Sequence, residues 1–201
     1  KEYLEALVID AEDSVSFFSN DRKTERERAV CAAFLRCIGI EFGVDELTSG
    51  PHEPIDVAFC DAQFQVAEML DAGRERHREL SAELSVRRRA VTVEETMKLH
   101  AAPRRVTRTP LLSAVSQALM SKEEKYARLY PTAHGTIDAL VYVNLNAYLD
   151  RGSDDNHDAE ATSNYWRSLS ILFPPYAEVV AASGTAPGFI QERRGEGLSM
   201  W

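Results

Sequence analysis

The sequence predicts an α/β protein, a mixed sheet flanked by helices. Three observations predict it. Two amphipathic helical patterns open the chain, a hairpin signal follows them, and Ile137–Leu145 is apolar on both faces, as a strand buried between two layers must be. The 201 residues are 44% apolar and 27% charged, which excludes wholesale disorder and suits one domain over 1–201 with a proper core.

The elements follow in order. Leu4, Leu7, Val8, Ala11, Val15 and Phe18 recur at helical spacing and predict a helix over 2–19. Ser19-Asn20-Asp21 offers cap-type residues, and a second helix over 22–38 presents Ala29, Val30, Ala33, Phe34 and Cys37 before Gly39 stops it. Strands are expected at 55–59 and 64–70, joined through Cys60-Asp61-Ala62-Gln63. Residues 73–89 read as a mostly polar helix, and 111–129 as an amphipathic one. Further strands are expected at 137–145, which should be central, and at 168–173. Residues 177–182 fit either a strand or a helical turn, and Arg151–Glu160 reads as an acidic loop.

Composition limits the function classes. No apolar run approaches the roughly 20 residues of a membrane span, and Lys1-Glu2-Tyr3 shows no basic-then-apolar leader. Cys31, Cys37 and Cys60 are odd in number and form no C-x-x-C, so the reading is cytoplasmic with reduced thiols. The formal charge is −9, yet residues 73–108 hold ten bases and five acids. DNA or RNA is therefore the expected partner of that segment, through Arg74, Arg78, Arg87, Arg88 and Arg89.

Nucleophile-elbow, P-loop, H-E-x-x-H and dinucleotide-binding signatures are missing, and the five histidines lack ligand spacing. One constellation remains: Glu27 on a helix, Asp56 opening a strand, and Gln65 and Glu68 on the next strand. Oxygen donors converging in this way suit a hard cation that activates water against a phosphodiester. A hairpin turning at Asp61-Ala62 would set Ala58 opposite Gln65 and Asp56 opposite Ala67. Asp56, Gln65 and Ala67 then share a face, with Ile55, Val57, Phe59, Phe64, Val66 and Leu70 on the other. Glu68 falls on the apolar face unless a bulge turns it back.

Arg26–Cys31, Pro54–Phe59, Phe64–Arg74, Ile137–Leu145, Trp166–Ser170 and Ala186–Phe189 carry a resemblance over nearly the whole chain. They resemble the bacterial family called domain of unknown function 1780, described as "putative endonuclease". The resemblance implies a restriction-endonuclease-like core of the PD-(D/E)XK type. It implies Asp56 at the first acid and Gln65 at the second acidic position, with Glu27 nearby and Ala67 in the place of the lysine. Arg74, Lys23 or Arg26 is then expected to replace that lysine. Catalysis would need Mg or Mn, held by Asp56 with Glu68. The alternative is a non-catalytic nuclease-fold module that binds nucleic acid or a protein partner.

Overall fold

The computed structural model describes residues 2–97, 102–150 and 165–199. The predicted acidic loop 151–160 and Lys98 of the basic segment lie outside them. The helices are α1 (Glu2–Phe17), α2 (Lys23–Cys37), α3 (Arg76–Arg87), α4 (Val93–Met97), α5 (Arg108–Leu129) and α6 (Gly188–Gln191). The strands are β1 (Thr48–Ser49), β2 (Val57–Phe59), β3 (Ala62–Leu70), β4 (Arg104–Thr107) and β5 (Asp138–Asn144). β6 (Ala147–Asp150), β7 (Ser168–Phe173), β8 (Tyr176–Ala182) and β9 (Gly197–Ser199) complete the set.

Seven strands form one mixed sheet in the order β1-β2-β3-β5-β7-β8-β9, and β4 pairs with β6 in a small parallel sheet. The centre, β3-β5-β7, is parallel, and both flanks are antiparallel. β5 holds the middle position, as its two apolar faces require. Leu140 faces one layer with Val57, Phe59 and Phe64, against Val30 and Phe34 of α2 and Ile38, which caps it. Ala139, Val141 and Val143 face the other with Ala67 and Met69, against Leu111, Leu112, Val115 and Leu119 of α5. No helix among the described residues is long and apolar enough to cross a membrane.

The hairpin differs from expectation in register. Val57 pairs with Phe64 and Phe59 with Ala62, so the turn is Cys60-Asp61, and Cys60 adopts a positive φ of 50°. The slip is two residues, not one, so every side chain keeps its face. The face carrying Gln65 and Ala67 is not a solvent face, however, because α5 covers it. Of the two alternatives for 177–182, the strand forms. The first two helices are shorter than expected, because a 3-10 turn over Asn20–Arg22 separates them.

Two buried charge clusters pin the layers. The Arg108 guanidinium at the start of α5 binds Glu178 of β8, which is 1% exposed and also accepts the Tyr176 hydroxyl at 2.5 Å. Asp138, fully buried, accepts from Arg167 at 2.5 Å, from the Ser168 hydroxyl at 2.7 Å and from the Gln63 N–H at 3.0 Å. Glu178→Leu alone should cost about 3–5 kcal/mol, because it takes the Glu178 carboxylate away from the buried Arg108 charge. Adding Arg108→Met should return most of that loss, and urea denaturation of the two variants checks the difference.

Candidate active site

Pairing of β2 with β3 ends at Phe64, and among the described residues no strand covers the outer edge of β3 beyond it. The Asp56 side chain occupies this edge. Its Oδ2 accepts the Val66 N–H at 2.9 Å and the Gln65 Nε2–H at 2.8 Å. Gln65 Nε2 also donates to the Val66 carbonyl at 2.8 Å. Asp56 is held from behind: its N–H donates to the Phe64 carbonyl, and its own carbonyl accepts from Gly50, both at 2.9 Å. Gly50 must lack a Cβ, which would lie 1.9 Å from the Ile55 carbonyl oxygen.

Two lysines enter from opposite layers. Lys23 Nζ, on the first turn of α2, lies 3.1 Å from Glu27 Oε1 and 3.5 Å from Asp56 Oδ1. One cationic head therefore sits between the two carboxylates. Lys122 Nζ, from α5, donates to Gln65 Oε1 at 3.2 Å and to the Val66 carbonyl at 3.4 Å. Burial pulls the Lys122 ammonium below the ordinary lysine value, with Asp56 opposing that shift. Burial also works against the Lys23 charge, but Asp56 and Glu27 together outweigh it and hold Lys23 above the ordinary value. Glu27 is raised, first by burial and then by Asp56, with Lys23 pulling the other way. Tyr126, one turn beyond Lys122, is pushed up to about 12 by burial, then by the charges of Asp56 and Glu53.

The structure thus gathers Asp56, Gln65 and Glu27 and adds Lys122, which the sequence reading missed. The signal was present: Val115, Leu119, Lys122 and Tyr126 continue one helical stripe, and a lysine on a core-facing stripe is unusual. Glu68 is not drawn to Asp56. Its carboxylate binds the Arg76 guanidinium and the Asn144 Nδ2–H, tying α3 to the sheet, so the expected Asp56–Glu68 pairing is replaced by Asp56 with Glu27. Glu68 and Glu27 do line a common cavity of about 190 Å³ with Lys23, Arg26, Val66 and Tyr142.

Among the expected substitutes for the missing lysine, Lys23 is in the site. Arg26 instead donates to the Phe17 and Ser19 carbonyls, and Arg74 to Glu79 and Asn144. The five expected nucleic-acid arginines divide: Arg74 and Arg87 are engaged within the fold, and the other three are exposed at the surface. Arg87 binds Asp10, Glu83 and the Leu7 carbonyl, and Arg88 binds Glu12. Arg78, Arg88 and Arg89 are exposed, Arg78 with the Glu75 carboxylate 4.0 Å away. These helices are held together by the charges that a polyanion would need.

Among the described residues, no three His, Cys, Asp or Glu side chains group as a metal-ion site. What the edge of β3 offers is oxygen of mixed kind: the Asp56 and Glu27 carboxylates with the neutral Gln65 Oε1 and Val66 carbonyl. Hard divalent cations take such donors, so the chemistry of the set fits one.

No curated protein matches the sequence. A solved structure of a protein of unknown function from Pseudomonas aeruginosa strain PAO1, described as monooxygenase superfamily, is similar at 29% identity and a TM-score of 0.70. The similarity covers 98% of this chain and 94% of that one. A family profile matches residues 1–200, and the chain belongs to that family, described as "putative endonuclease, protein of unknown function (DUF1780)".

Proposed function

We propose that the chain hydrolyses phosphodiester bonds of nucleic acid at Asp56 with a divalent cation, Mg or Mn, as a degenerate PD-(D/E)XK enzyme. One observation carries the reading: a half-buried lysine, Lys122, reaches Gln65 and Val66 on the face of β3 that also carries Ala67. A cation lost from the strand is thereby supplied from the helix packed over it. The element order supports the same assignment, with α2 carrying Glu27, the β2-β3 hairpin carrying Asp56 and Gln65, and α5 leading into parallel β5.

Asp56 Oδ1, Glu27, Gln65 Oε1 and the Val66 carbonyl would hold the cation. When bound, it supplies Lewis-acid polarisation of the phosphoryl oxygen and lowers the pKa of water. Lys122 Nζ places positive charge where negative charge builds on the phosphate, in a site partly shielded from water. Its depressed pKa makes Nζ a readier proton donor than an ordinary lysine, at the oxygen that departs. Gln65 orients both partners, its Nε2 fixing Asp56 and its Oε1 fixing Lys122. A module that binds without cutting is the second reading. The amide at Gln65 favours it, since the site carries one anionic charge fewer than two acids would give.

A cleavage assay with Mg or Mn on single-stranded, duplex and structured DNA and RNA tests the proposal. Asp56→Asn should reduce cleavage to background, and Lys122→Met should lower it by about 10²–10³-fold. Lys122→Met should also leave the melting temperature unchanged or raised, because it removes a charge that burial disfavours. Parent protein that cuts no substrate with either metal, or a Lys122→Met variant as active as the parent, would overturn the reading.

The raised Glu27 makes a separate prediction. A protonated Glu27 offers no charged oxygen, so cleavage should fall on the acid side at a higher pH than an ordinary glutamate would give. Glu27→Gln should lower the rate and remove that limb from the pH–rate profile. Stability should show the opposite sign. The fold favours the protonated carboxyl, so this contribution is lost as pH rises through the folded value.

A further inference from the structure

We infer that the face of α5 beyond Lys122 is a stacking track for single-stranded nucleic acid, leading away from the Asp56 centre. The inference rests on the hydrolase reading and names its substrate class. Lys122 and Tyr126 lie one turn apart on one face of α5, Tyr130 caps its C-terminus, and His134 follows the 3-10 turn Pro131–Ala133. Ring contacts place Tyr130 beside Tyr126 and His134 beside Tyr165. Tyr126 and Tyr130 are half-buried and His134 is exposed. None of these three rings is needed by the chemistry proposed for Asp56.

The ring contacts are edge-on. Tyr126 meets Trp166 at 5.9 Å and 76° and Tyr130 at 5.7 Å and 75°, while His134 meets Tyr165 at 5.6 Å and 89°. Such contacts fix the rings without stacking one on another. The Lys125 ammonium, on an exposed side chain, lies 5.8 Å over the Tyr126 ring. A solvated cation above a ring marks a face that is open to solvent. A base lying on that face would set its phosphate near Lys125, with exposed Arg128 one turn further on. Of the nearby acids, Glu123 is turned inward to accept the Tyr165 N–H at 3.0 Å, which leaves Glu124 exposed among these cations.

Ring inclination decides between single strand and duplex. The Tyr126 and Tyr130 ring planes are inclined at 75° to each other, whereas successive bases in a duplex strand lie parallel, about 3.4 Å apart. Bases seated on successive rings must therefore be splayed from one another, which a stacked and paired strand does not allow. Aromatic platforms accept any base, because every base has a π-face, and a neighbouring cation follows the backbone. The chemistry recognised is an unpaired polynucleotide, of either sugar.

Fluorescence anisotropy in EDTA tests this, using a labelled mixed-sequence 12-mer as single-stranded DNA, single-stranded RNA and duplex DNA. Either single strand should bind at least about tenfold tighter than the duplex, and Tyr130→Ala should weaken strand binding by roughly fivefold to a hundredfold. Tyr130→Trp keeps a platform and should bind like the parent or tighter, which keeps the test sound should the alanine variant fold poorly. Lys125→Ala should reduce the salt dependence of binding by about one counterion. Equal affinity for strand and duplex, or a Tyr130→Ala variant that binds like the parent, would overturn the track. Because binding is read in EDTA, the two readings fail separately. A protein that binds strands and never cuts refutes the hydrolase alone, and one that cuts while holding strand and duplex alike refutes the track alone.

Discussion

An exposed sheet edge presents backbone N–H and C=O groups that need partners. In this protein that requirement and the candidate chemistry are met by the same atoms. β2 stops pairing at Phe64, and at Val66 the strand's role passes to side chains: Asp56 accepts the N–H, while Gln65 and Lys122 donate to the C=O. A longer β2 would satisfy the edge with backbone and leave no place for Asp56. The short strand, the glycine at 50 that lets Ile55 pass close by, and the carboxylate at 56 form one structural unit.

The positions of the two lysines depend on charges buried elsewhere. Lys122 lies fourteen residues along α5 from Arg108, about 21 Å at the rise of an α-helix. A small rotation at the start of α5 would therefore carry Nζ out of reach of Gln65. Glu178 and Tyr176 hold that start through Arg108. The hairpin turn is held in the same manner, since Arg167 bridges buried Asp138 and the Asp61 carbonyl at 2.8 Å, and Asp138 takes the Gln63 N–H. Buried ion pairs contribute little net stability compared with apolar packing. Their value here is register: each ties a residue in the sheet to the element that carries, or turns toward, the site.

The parts of this fold that were legible in the sequence are those with a strong period or a two-faced apolar run. β5 is central because Leu140 and Val141 both need cover, and α2 and α5 supply it. The pairing of Asp56 with Gln65 was legible as a matter of faces, because a slip of two residues preserves them, although the turn itself lies one residue earlier than the spacing suggested. Short elements such as β1, β4, β6 and β9 were not legible, since two to four residues carry no periodic signal. Lys122 was missed because it stands 57 residues from Gln65, and only the packing of α5 on β3 brings them together. Glu68 is expected as a ligand only where a bulge turns it back from the apolar face, and β3 pairs with β5 in one unbroken register through it. Its actual partner, Arg76, comes from α3, beyond the turn that follows β3.

Charge distribution teaches the same lesson at larger scale. The basic segment stands out in the sequence because its arginines are consecutive, but consecutive charges on a helix are free only if nothing opposite neutralises them. α1 does so: Asp10 and Glu12 take Arg87 and Arg88, and Glu83 takes Arg87 from within α3. The cations at the Asp56 site are fewer and come from different elements, Lys23 from α2 and Lys122 from α5. Lys23 reaches the Asp56 carboxylate and Lys122 the Gln65 amide that donates to it, the first held above the ordinary lysine value and the second pulled below it. Lys23, bridging Glu27 and Asp56, acts as a counter-ion that stabilises the charge of both acids. Lys122, touching only a neutral amide and a carbonyl, keeps a charge that burial disfavours. A half-buried cation held by neutral oxygens is therefore the less stable of the two, and under the proposed chemistry the better placed to stabilise an anion that arrives.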